Sequence, residues 1–203
     1  VYGFSTENWG RSREEVGFLM RLLQAALESE LPQLHADGVR LAFAGDRALL
    51  PESLRRTLQR AEELTADNTA MVLCVCLSYG GRQDIARAAQ ELCRLTQQGK
   101  LAPEEVTESL LAQHLSTHAA RAAVGCDPDL LIRTSGEQRL SNFLLFELAY
   151  TELYFTNVFW PDFDRAEWQS ALNHYASRQR RFGRRRGGVG HGRHTEQGAA
   201  KVV

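Results

Sequence analysis

Several features are scarce or missing in this sequence, and each removes a class of protein. There is no run of 18 apolar residues, so no membrane-spanning helix is predicted. Four cysteines in 203 residues are too few for a disulfide scaffold and are typical of a reducing cytosol. The chain opens on Val1 instead of Met and shows no signal-peptide pattern. We therefore expect a cytoplasmic protein, with association to a membrane left open, whose printed sequence starts inside a longer one.

The composition is that of a globular protein with a basic end. Hydrophobic residues make up 43% and charged residues 24%, which excludes disorder, collagen-like repeats and coiled coil as the main architecture. The net charge of −1 conceals an asymmetry, because residues 178–203 carry eight Lys or Arg against one acid. A basic tail is typical of contact with nucleic acid or an anionic membrane, whereas the glycines within 187–192 favour a solvated terminus. No recognised nucleic-acid-binding module accompanies the charge, so nucleic acid is not an expected partner.

Short β-prone runs alternate with helical patterns along the chain. Ser12 and Glu15 form a capping-box pattern, after which apolar residues recur at helical spacing until Pro32, which is expected to end the helix. A further apolar helix is predicted over residues 142–150. This alternation predicts an α/β fold with a central, mostly parallel sheet flanked by helices. Strands are predicted at residues 1–4, 39–45, 71–77, 130–132 and 152–155, and other helices at 51–66, at 83–97, after Pro103 and after Asp164.

The most informative polar segment follows the fourth predicted strand. We call Arg133, Arg139 and Ser141 the arginine cradle. Two planar guanidinium groups, a hydroxyl and the amides at the start of the predicted helix are suited to hold a diphosphate. The alternative is that one arginine forms a structural ion pair with Glu137 or Asp129, and local chemistry alone favours neither interpretation.

A second polar cluster, residues 5–11, lies between the first predicted strand and the helix that Ser12 caps. Asn8 could orient a substrate, Arg11 could contact phosphate, and Trp9 could cover an apolar chain or a cation. The alternative is a helix-entry loop in which Trp9 simply packs, and the residues alone favour it.

Signals for a metal site are weak. Glu152 is a lone carboxylate between Tyr150 and Tyr154. Mg²⁺ typically takes one or two carboxylates together with phosphates and water, so a solvated or paired glutamate is the simpler interpretation. Cys74 and Cys76 lie on one face of a predicted strand and lack a second pair at zinc spacing, so we interpret them as small core residues.

Five motifs in a fixed order give the sequence a family resemblance. They occupy residues 4–11, 78–82, 127–145, 150–155 and 160–163. In this order they resemble the cis-prenyltransferases, and most closely the bacterial undecaprenyl diphosphate synthases, over residues 1–183. The resemblance implies a catalytic domain at 1–183 and a homodimer, while the composition predicts a basic, Gly-rich and disordered tail at 184–203 that could touch an anionic membrane.

The resemblance also implies a chemistry. Isopentenyl diphosphate units extend an allylic diphosphate such as farnesyl diphosphate with cis double bonds, Mg²⁺ assists the departure of diphosphate, and the growing chain fills an apolar tunnel. By matched position, Asn8 assists removal of a proton and Glu152 helps to coordinate Mg²⁺. The residues implied to hold isopentenyl diphosphate are Arg133, Arg139 and Ser141, and those implied to line the substrate site are Ser5, Thr6, Glu7, Trp9, Arg11 and Leu140.

One departure from the family pattern is large. The family's first strand ends in a loop reading Asp-Gly-Asn-Gly-Arg-Trp, which supplies the catalytic aspartate, and this sequence has no such segment. We expect that the first strand and this loop lie upstream of Val1 and that the 203 residues as printed do not turn over substrate. A non-catalytic partner subunit is the alternative, although a scaffold has no need to retain the arginine cradle.

Overall fold

The computed structural model describes residues 1–178, which fall into two compact units. The first unit consists of residues 1–126 and 142–146, and the second contains residues 127–141 together with those from 147 onward. All strand pairings in this part of the chain are parallel, and helices accompany them, which confirms the predicted α/β class. The predicted tail, 184–203, lies outside the described residues.

Three parallel strands make up the sheet of the first unit. The strand order is β1 (Tyr2–Ser5), then β3 (Met71–Tyr79), then β2 (Val39–Ala44). β2 pairs with β3 in an unbroken register from Val39 to Ala44, whereas β1 pairs with β3 through two register shifts. β2 is almost wholly buried, as is usual for a parallel strand covered on both faces.

Five helices accompany this sheet, and their polar caps are local in sequence. Ser12 Oγ accepts a hydrogen bond from the Glu15 N–H at 3.2 Å, which confirms the predicted cap of the first helix. Thr107 Oγ1 caps the fourth helix by accepting from the Leu110 N–H at 3.2 Å. The helices are α1 (Arg13–Ala36), α2 (Glu52–Leu64), α3 (Gly81–Gln97), α4 (Glu108–Gln113) and α5 (His118–Val124).

α1 continues through Pro32, so the prediction that this proline ends the helix is wrong. A proline inside a helix removes one main-chain hydrogen bond and costs about 3 kcal/mol. The last turn forms nevertheless because Leu31 is buried and Leu34 packs against the core on either side of the proline. The helix ends at Ala36, and Gly38 follows in the left-handed region with φ of 71°.

The core of the first unit draws on α1, α2 and the strands of the sheet. The apolar stripe predicted on α1 packs against it, including Val16, Leu19 and Leu23. Thr65 is fully buried among these apolar groups, and its Oγ1 accepts from the Leu41 N–H at 2.9 Å and donates to a main-chain oxygen of α2. The buried members of the core are Phe4, Met20, Leu31, Leu41, Phe43, Leu50, Leu54, Leu58, Ala61 and Leu77.

As far as residue 178, the second unit contains two parallel strands and one α-helix. β4 (Leu130–Arg133) pairs with β5 (Glu152–Phe155), whose bounds are those predicted. α6 (Arg165–Ala176) begins at Asp164, whose Oδ1 accepts from two main-chain N–H groups at 2.8 and 3.0 Å. In the described part of the chain, no helix combines the length and the apolar character needed to cross a bilayer.

The predicted helix over residues 142–150 does not form, because this stretch consists of turns. Three residues at its start, Ser141, Asn142 and Leu144, adopt positive φ angles of 49°, 65° and 42°. A right-handed helix cannot pass through residues in the left-handed region. The helix amides that were expected to help hold a diphosphate are therefore absent from this position, and that part of the prediction is wrong.

Candidate functional site

The polar residues after β1 form a compact turn whose groups bond to one another. A 3₁₀ turn, Thr6–Gly10, links β1 to the start of α1. Asn8 Oδ1 accepts from the Ser5 N–H at 2.8 Å, and the Asn8 main-chain oxygen accepts from the Arg11 N–H at 3.1 Å. Within residues 1–178, the side-chain nitrogen of Asn8 donates to no protein group, so it is available to a ligand.

Trp9 is held both by packing and by a hydrogen bond. Its ring meets Phe4 edge to face with centroids 5.1 Å apart, and its Nε1–H donates to Ser78 Oγ at 2.9 Å. Ser78 is buried and has a φ of 51°. Trp9 therefore packs against the core, and the left-handed conformation of Ser78, near the end of β3, accompanies the contact of its hydroxyl with the indole.

Glu7 is an exposed carboxylate with several hydrogen-bond donors. Asn142 Nδ2 donates to Glu7 Oε1 at 2.9 Å, and Thr6 Oγ1 donates to Glu7 Oε2 at 3.1 Å. Burial raises the pKa of the Glu7 carboxyl, but hydrogen bonds from Asn142, its own main chain, Ser5 and Thr6 outweigh that effect and leave the pKa below its ordinary value. Glu7 therefore remains charged well into acidic solution.

Arg11 lies at the edge of an apolar cavity. It pairs with Glu15 at 2.8 Å, and both side chains are nearly half exposed. The cavity has a volume of about 420 Å³, and its wall includes Trp9, Val16 and Met20. A cavity with apolar walls and a guanidinium at its edge is suited to an apolar chain that ends in an anionic group.

In the second unit, the arginine cradle is assembled at the end of β4. Arg133 Nη1 donates to Ser141 Oγ at 2.9 Å and also to the main-chain oxygen of Arg139. Between these residues the chain reverses through Ser135 and Gly136, with φ of 68° and 72°. Both main-chain N–H groups of this reversal donate to oxygens of the segment that follows β5, at 2.8 and 2.9 Å. The reversal is thus anchored by backbone hydrogen bonds, and the Arg133 guanidinium adds a contact to the Arg139 main-chain oxygen.

Arg139 forms the ion pair that was left open as an alternative. Its Nη1 contacts Glu137 Oε2, and the side chains are 63% and 44% exposed. Exposed pairs of this kind contribute only about 0–1 kcal/mol, so a more highly charged partner displaces them readily. The pair therefore does not exclude ligand binding, and Arg133 contacts only neutral groups in the cradle.

Glu152 stands at the first position of β5, and its carboxylate is mostly buried. Its Oε2 accepts from Arg178 Nε at 3.1 Å, while its main-chain N–H donates to the Asp129 oxygen at 3.0 Å. No cluster of three or more His, Cys, Asp or Glu side chains suited to a metal ion occurs among residues 1–178. A single hard oxygen donor still fits Mg²⁺, because this ion usually shares its coordination between one or two carboxylates, substrate phosphates and water.

The structure groups the predicted site residues by unit. Ser5, Thr6, Glu7, Asn8, Trp9 and Arg11 lie together in the first unit, and Arg133, Arg139, Leu140, Ser141 and Glu152 belong to the second. Leu140 is half-buried. Cys74 and Cys76 lie on β3, where Cys76 is buried and Cys74 is half-buried, in agreement with their interpretation as core residues.

The polar contacts of three residues were not predicted from the sequence. Asn142 was interpreted as the start of a helix, yet its side chain bonds to Glu7 and Gln83. Arg178 was counted only as part of the basic tail, yet it pairs with Glu152. Ser78 carried no assignment, although it binds Trp9. Each contact joins residues at least 26 positions apart, which no local pattern reveals.

Comparisons with known proteins agree with the order of the motifs. Residues 1–183 match the family model described as undecaprenyl diphosphate synthase. The farnesyl-diphosphate-specific ditrans,polycis-undecaprenyl-diphosphate synthase of Escherichia coli K12 is 45% identical over 183 residues, which are 90% of this chain and 70% of that protein. Its counterpart from Legionella pneumophila strain Philadelphia 1 is 48% identical over the same share of this chain and 75% of its own length.

A solved structure extends the likeness to three dimensions. Lavandulyl diphosphate synthase from Lavandula x intermedia, in complex with dimethylallyl diphosphate, superposes with a TM-score of 0.85 at 39% identity. The match covers 90% of this chain and 77% of that one.

Proposed function

The chain belongs to the undecaprenyl diphosphate synthase family, and from this premise we propose that it takes part in cis-prenyl chain elongation. In the proposed reaction, isopentenyl diphosphate is joined to an allylic diphosphate such as farnesyl diphosphate. A carbon–carbon bond forms, the allylic carbon–oxygen bond breaks, diphosphate leaves with the bonding electrons, and one proton is lost. Repetition gives a long polyprenyl diphosphate, the precursor of a lipid carrier.

The arginine cradle carries this proposal. Arg133 directs one guanidinium nitrogen to Ser141 Oγ and to the Arg139 main-chain oxygen, while the Arg139 guanidinium pairs with the exposed Glu137. Planar guanidinium groups bind two oxygens of a diphosphate at once, which a lysine cannot do. We assign the diphosphate of isopentenyl diphosphate to this cluster, with Leu140 beside it.

The residues of the first unit are assigned to the reacting carbons and to the chain. The side-chain nitrogen of Asn8 would orient the group that receives the proton lost after condensation. Ser5, Thr6, Glu7, Trp9 and Arg11 would line the substrate site, and the 420 Å³ cavity beside Trp9 would take part of the prenyl chain. On α1, Val16 lines this cavity and also packs against the core, as Leu19 and Leu23 do.

Glu152 is the residue that would hold Mg²⁺. The ion would neutralise charge on the departing diphosphate, which is the usual contribution of a hard divalent cation to such a reaction. Glu152 offers one carboxylate whose Oε2 is now bonded to Arg178, so the protein side would supply this single ligand and the substrate would supply the others.

A radiochemical assay tests the proposal. The protein, expressed from its complete open reading frame, would be incubated with labelled isopentenyl diphosphate, farnesyl diphosphate and Mg²⁺. We expect a long-chain product that extracts into butanol, and its absence under these conditions contradicts the proposal. Turnover that requires a second, different subunit would instead support the partner-subunit alternative. Chromatography of the dephosphorylated products separates long chains from a short product.

Two further proposals concern partners. A homodimer follows from the family, and the mass in solution by light scattering tests it. Contact with an anionic membrane through residues 184–203 follows from charge, and vesicle flotation with and without these residues tests it. Binding that does not change when the residues are removed would contradict the membrane proposal.

A further inference from the structure

We propose that Asn142 is a positioning residue that holds the 3₁₀ turn Thr6–Gly10 against the start of α3 by binding the Glu7 side chain. The cluster comprises Asn142, Glu7, Gln83 and the main chain at the beginning of α3. All of these residues belong to the first unit. That Asn142 holds the turn is argued from geometry alone. The consequence for catalysis rests on the proposed function.

The hydrogen bonds use both donors and the oxygen of the Asn142 side-chain amide. Asn142 Nδ2 donates to Glu7 Oε1 and to Gln83 Oε1, both at 2.9 Å. Its Oδ1 accepts from the Arg82 N–H at 2.8 Å, and its main-chain oxygen accepts from the Gly81 N–H at 2.6 Å. A side chain of this length that donates twice and accepts once is an asparagine, because aspartate has no donor and an apolar residue has neither group.

The backbone at this position also selects asparagine. Asn142 has a φ of 65°, in the left-handed region. Asparagine and aspartate enter this region more readily than other residues that carry a Cβ. A helix cannot continue through a residue in this conformation. The Asn142 side chain contacts Glu7 of the 3₁₀ turn and Gln83 of α3.

Gly80 provides an independent observation. A Cβ at this glycine would lie 2.4 Å from Gln83 Oε1, 2.5 Å from Thr6 Oγ1 and 2.6 Å from Asn142 Nδ2. The φ of Gly80 is −157°, which is extended backbone that any residue adopts. Glycine is needed here because the three neighbouring side chains approach the backbone so closely that a Cβ would not fit. The chain therefore leaves room at this point for the side chains of the 3₁₀ turn, α3 and Asn142 to meet.

Fixing Glu7 fixes its neighbour Asn8. The two residues share a single 3₁₀ turn, and the Asn8 side chain already accepts from the Ser5 N–H at 2.8 Å. A turn held at both ends presents Asn8 Nδ2 in one direction, whereas a turn held only at Ser5 is free to open at its Glu7 side. Asn142 thereby sets the orientation of the residue assigned to the proton-transfer step.

The test uses Asn142→Asp with Trp9 as the reporter. This variant keeps the size, the tolerance of positive φ and the acceptor for the Arg82 N–H, but it places a second carboxylate beside Glu7. Replacing the exposed Trp160 and Trp168 by phenylalanine leaves Trp9 as the only tryptophan among the 203 residues, and any tryptophan encoded upstream of Val1 is replaced in the same way. We expect Asn142→Asp to raise the acrylamide quenching of Trp9 about twofold or more, since local opening exposes the indole.

A charge-swap variant separates positioning from a general loss of structure. In the double variant Asn142→Asp with Glu7→Gln, the new amide donates to the new carboxylate, so quenching should return to the value of the parent. The matched control is Gln83→Ala, which leaves the bond between Asn142 and Glu7 intact and should change quenching little. Circular-dichroism melts report global stability for every variant.

The possible outcomes decide the proposal. Quenching that rises in Asn142→Asp and returns in the double variant supports it. Unchanged quenching in Asn142→Asp overturns it, and so does a rise that Glu7→Gln fails to reverse. No substrate is present in this measurement, so a failure here is distinguishable from a failure of the prenyl-transfer proposal.

Discussion

The two polar clusters of this protein differ in the partners that their side chains contact. In the first unit, the turn after β1 is held by hydrogen bonds from neutral donors, such as the indole of Trp9 to Ser78 and the amide of Asn142 to Glu7. In the second unit, the contacts of the arginine cradle include an exposed ion pair between Arg139 and Glu137. The first arrangement fixes positions, and the second leaves charges that a ligand can exchange.

This difference predicts a separation of stability from binding. An exposed ion pair contributes about 0–1 kcal/mol, so exchanging Glu137 for a diphosphate costs the fold little. The hydrogen bond from Trp9 to Ser78 is different, because the Ser78 hydroxyl is buried and leaving a buried group without its partner costs about 1–3 kcal/mol. Changes in the cradle should therefore affect the ligand, and changes in the turn should affect the fold.

The largest expected effect is on catalysis by the cradle. Arg133→Ala and Arg139→Ala, each made in the protein expressed from its complete reading frame, should lower kcat/KM about 10²-fold or more, because a bidentate contact to a charged transition state is lost. Steady-state kinetics measure the effect, and thermal melts should show little change in stability. Kinetics close to those of the parent in both variants would refute the assignment of the cradle.

An intermediate effect is expected on stability of the first unit. Gly80→Ala forces a Cβ within 2.4 to 2.6 Å of three side-chain atoms, so we expect a loss of about 1–3 kcal/mol in the free energy of unfolding, measured in urea. Gly10→Ala is the matched control, because a Cβ there meets nothing within 4 Å and the residue lies in the same polar turn. If both variants lose the same free energy of unfolding, close packing around Gly80 does not stabilise the turn, and this account is contradicted.

The smallest effect concerns a buried carboxyl of the first unit. Burial raises the pKa of Asp84, although hydrogen bonds from Ser116 and the charge of Arg87 oppose the shift. The folded protein then binds more protons than the unfolded chain, so stability falls as pH rises from the ordinary value near 3.8 through the raised value. Asp84→Asn should remove this decline in urea unfolding measured across the acidic range.

Glu7 supplies the control of opposite sign. Its pKa is lowered, so its contribution to stability is present above the ordinary carboxyl value and is lost as pH falls through the lowered one. Glu7→Gln should therefore not flatten the decline that Asp84 causes. Profiles of Asp84→Asn and the parent that run parallel would contradict the account of Asp84.

Much of the fold was predictable because it depends on local signals. β5 has the predicted bounds, and the caps at Ser12 and Asp164 form as expected. The failures arise where distant contacts outweigh local preference. Pro32 is tolerated because the residues around it pack on the core, and residues 142–150 avoid a helix because Asn142 is held in a left-handed conformation by distant partners.

The candidate site shows the same contrast between local patterns, which were predicted, and distant contacts, which were not. The arginine cradle was predicted because its residues lie within nine positions of one another and follow a strand. The contact of Asn142 with Glu7 spans 135 positions, and the pair of Arg178 with Glu152 spans 26, so neither leaves a periodic or local pattern. Sequence reasoning proposed candidate substrate-binding residues by their type, and it missed the long-range contacts of Asn142 and Arg178.

The most direct test of the cradle is a titration of isopentenyl diphosphate into the protein, followed by calorimetry, with Arg139→Ala and Arg139→Lys as paired variants. The account predicts that the alanine variant binds about tenfold more weakly or worse, with lysine in between because an ammonium lacks the planar fork. It also predicts that inorganic diphosphate competes for the site and that all three proteins melt at similar temperatures. Equal affinity for isopentenyl diphosphate in the parent and in Arg139→Ala would contradict it.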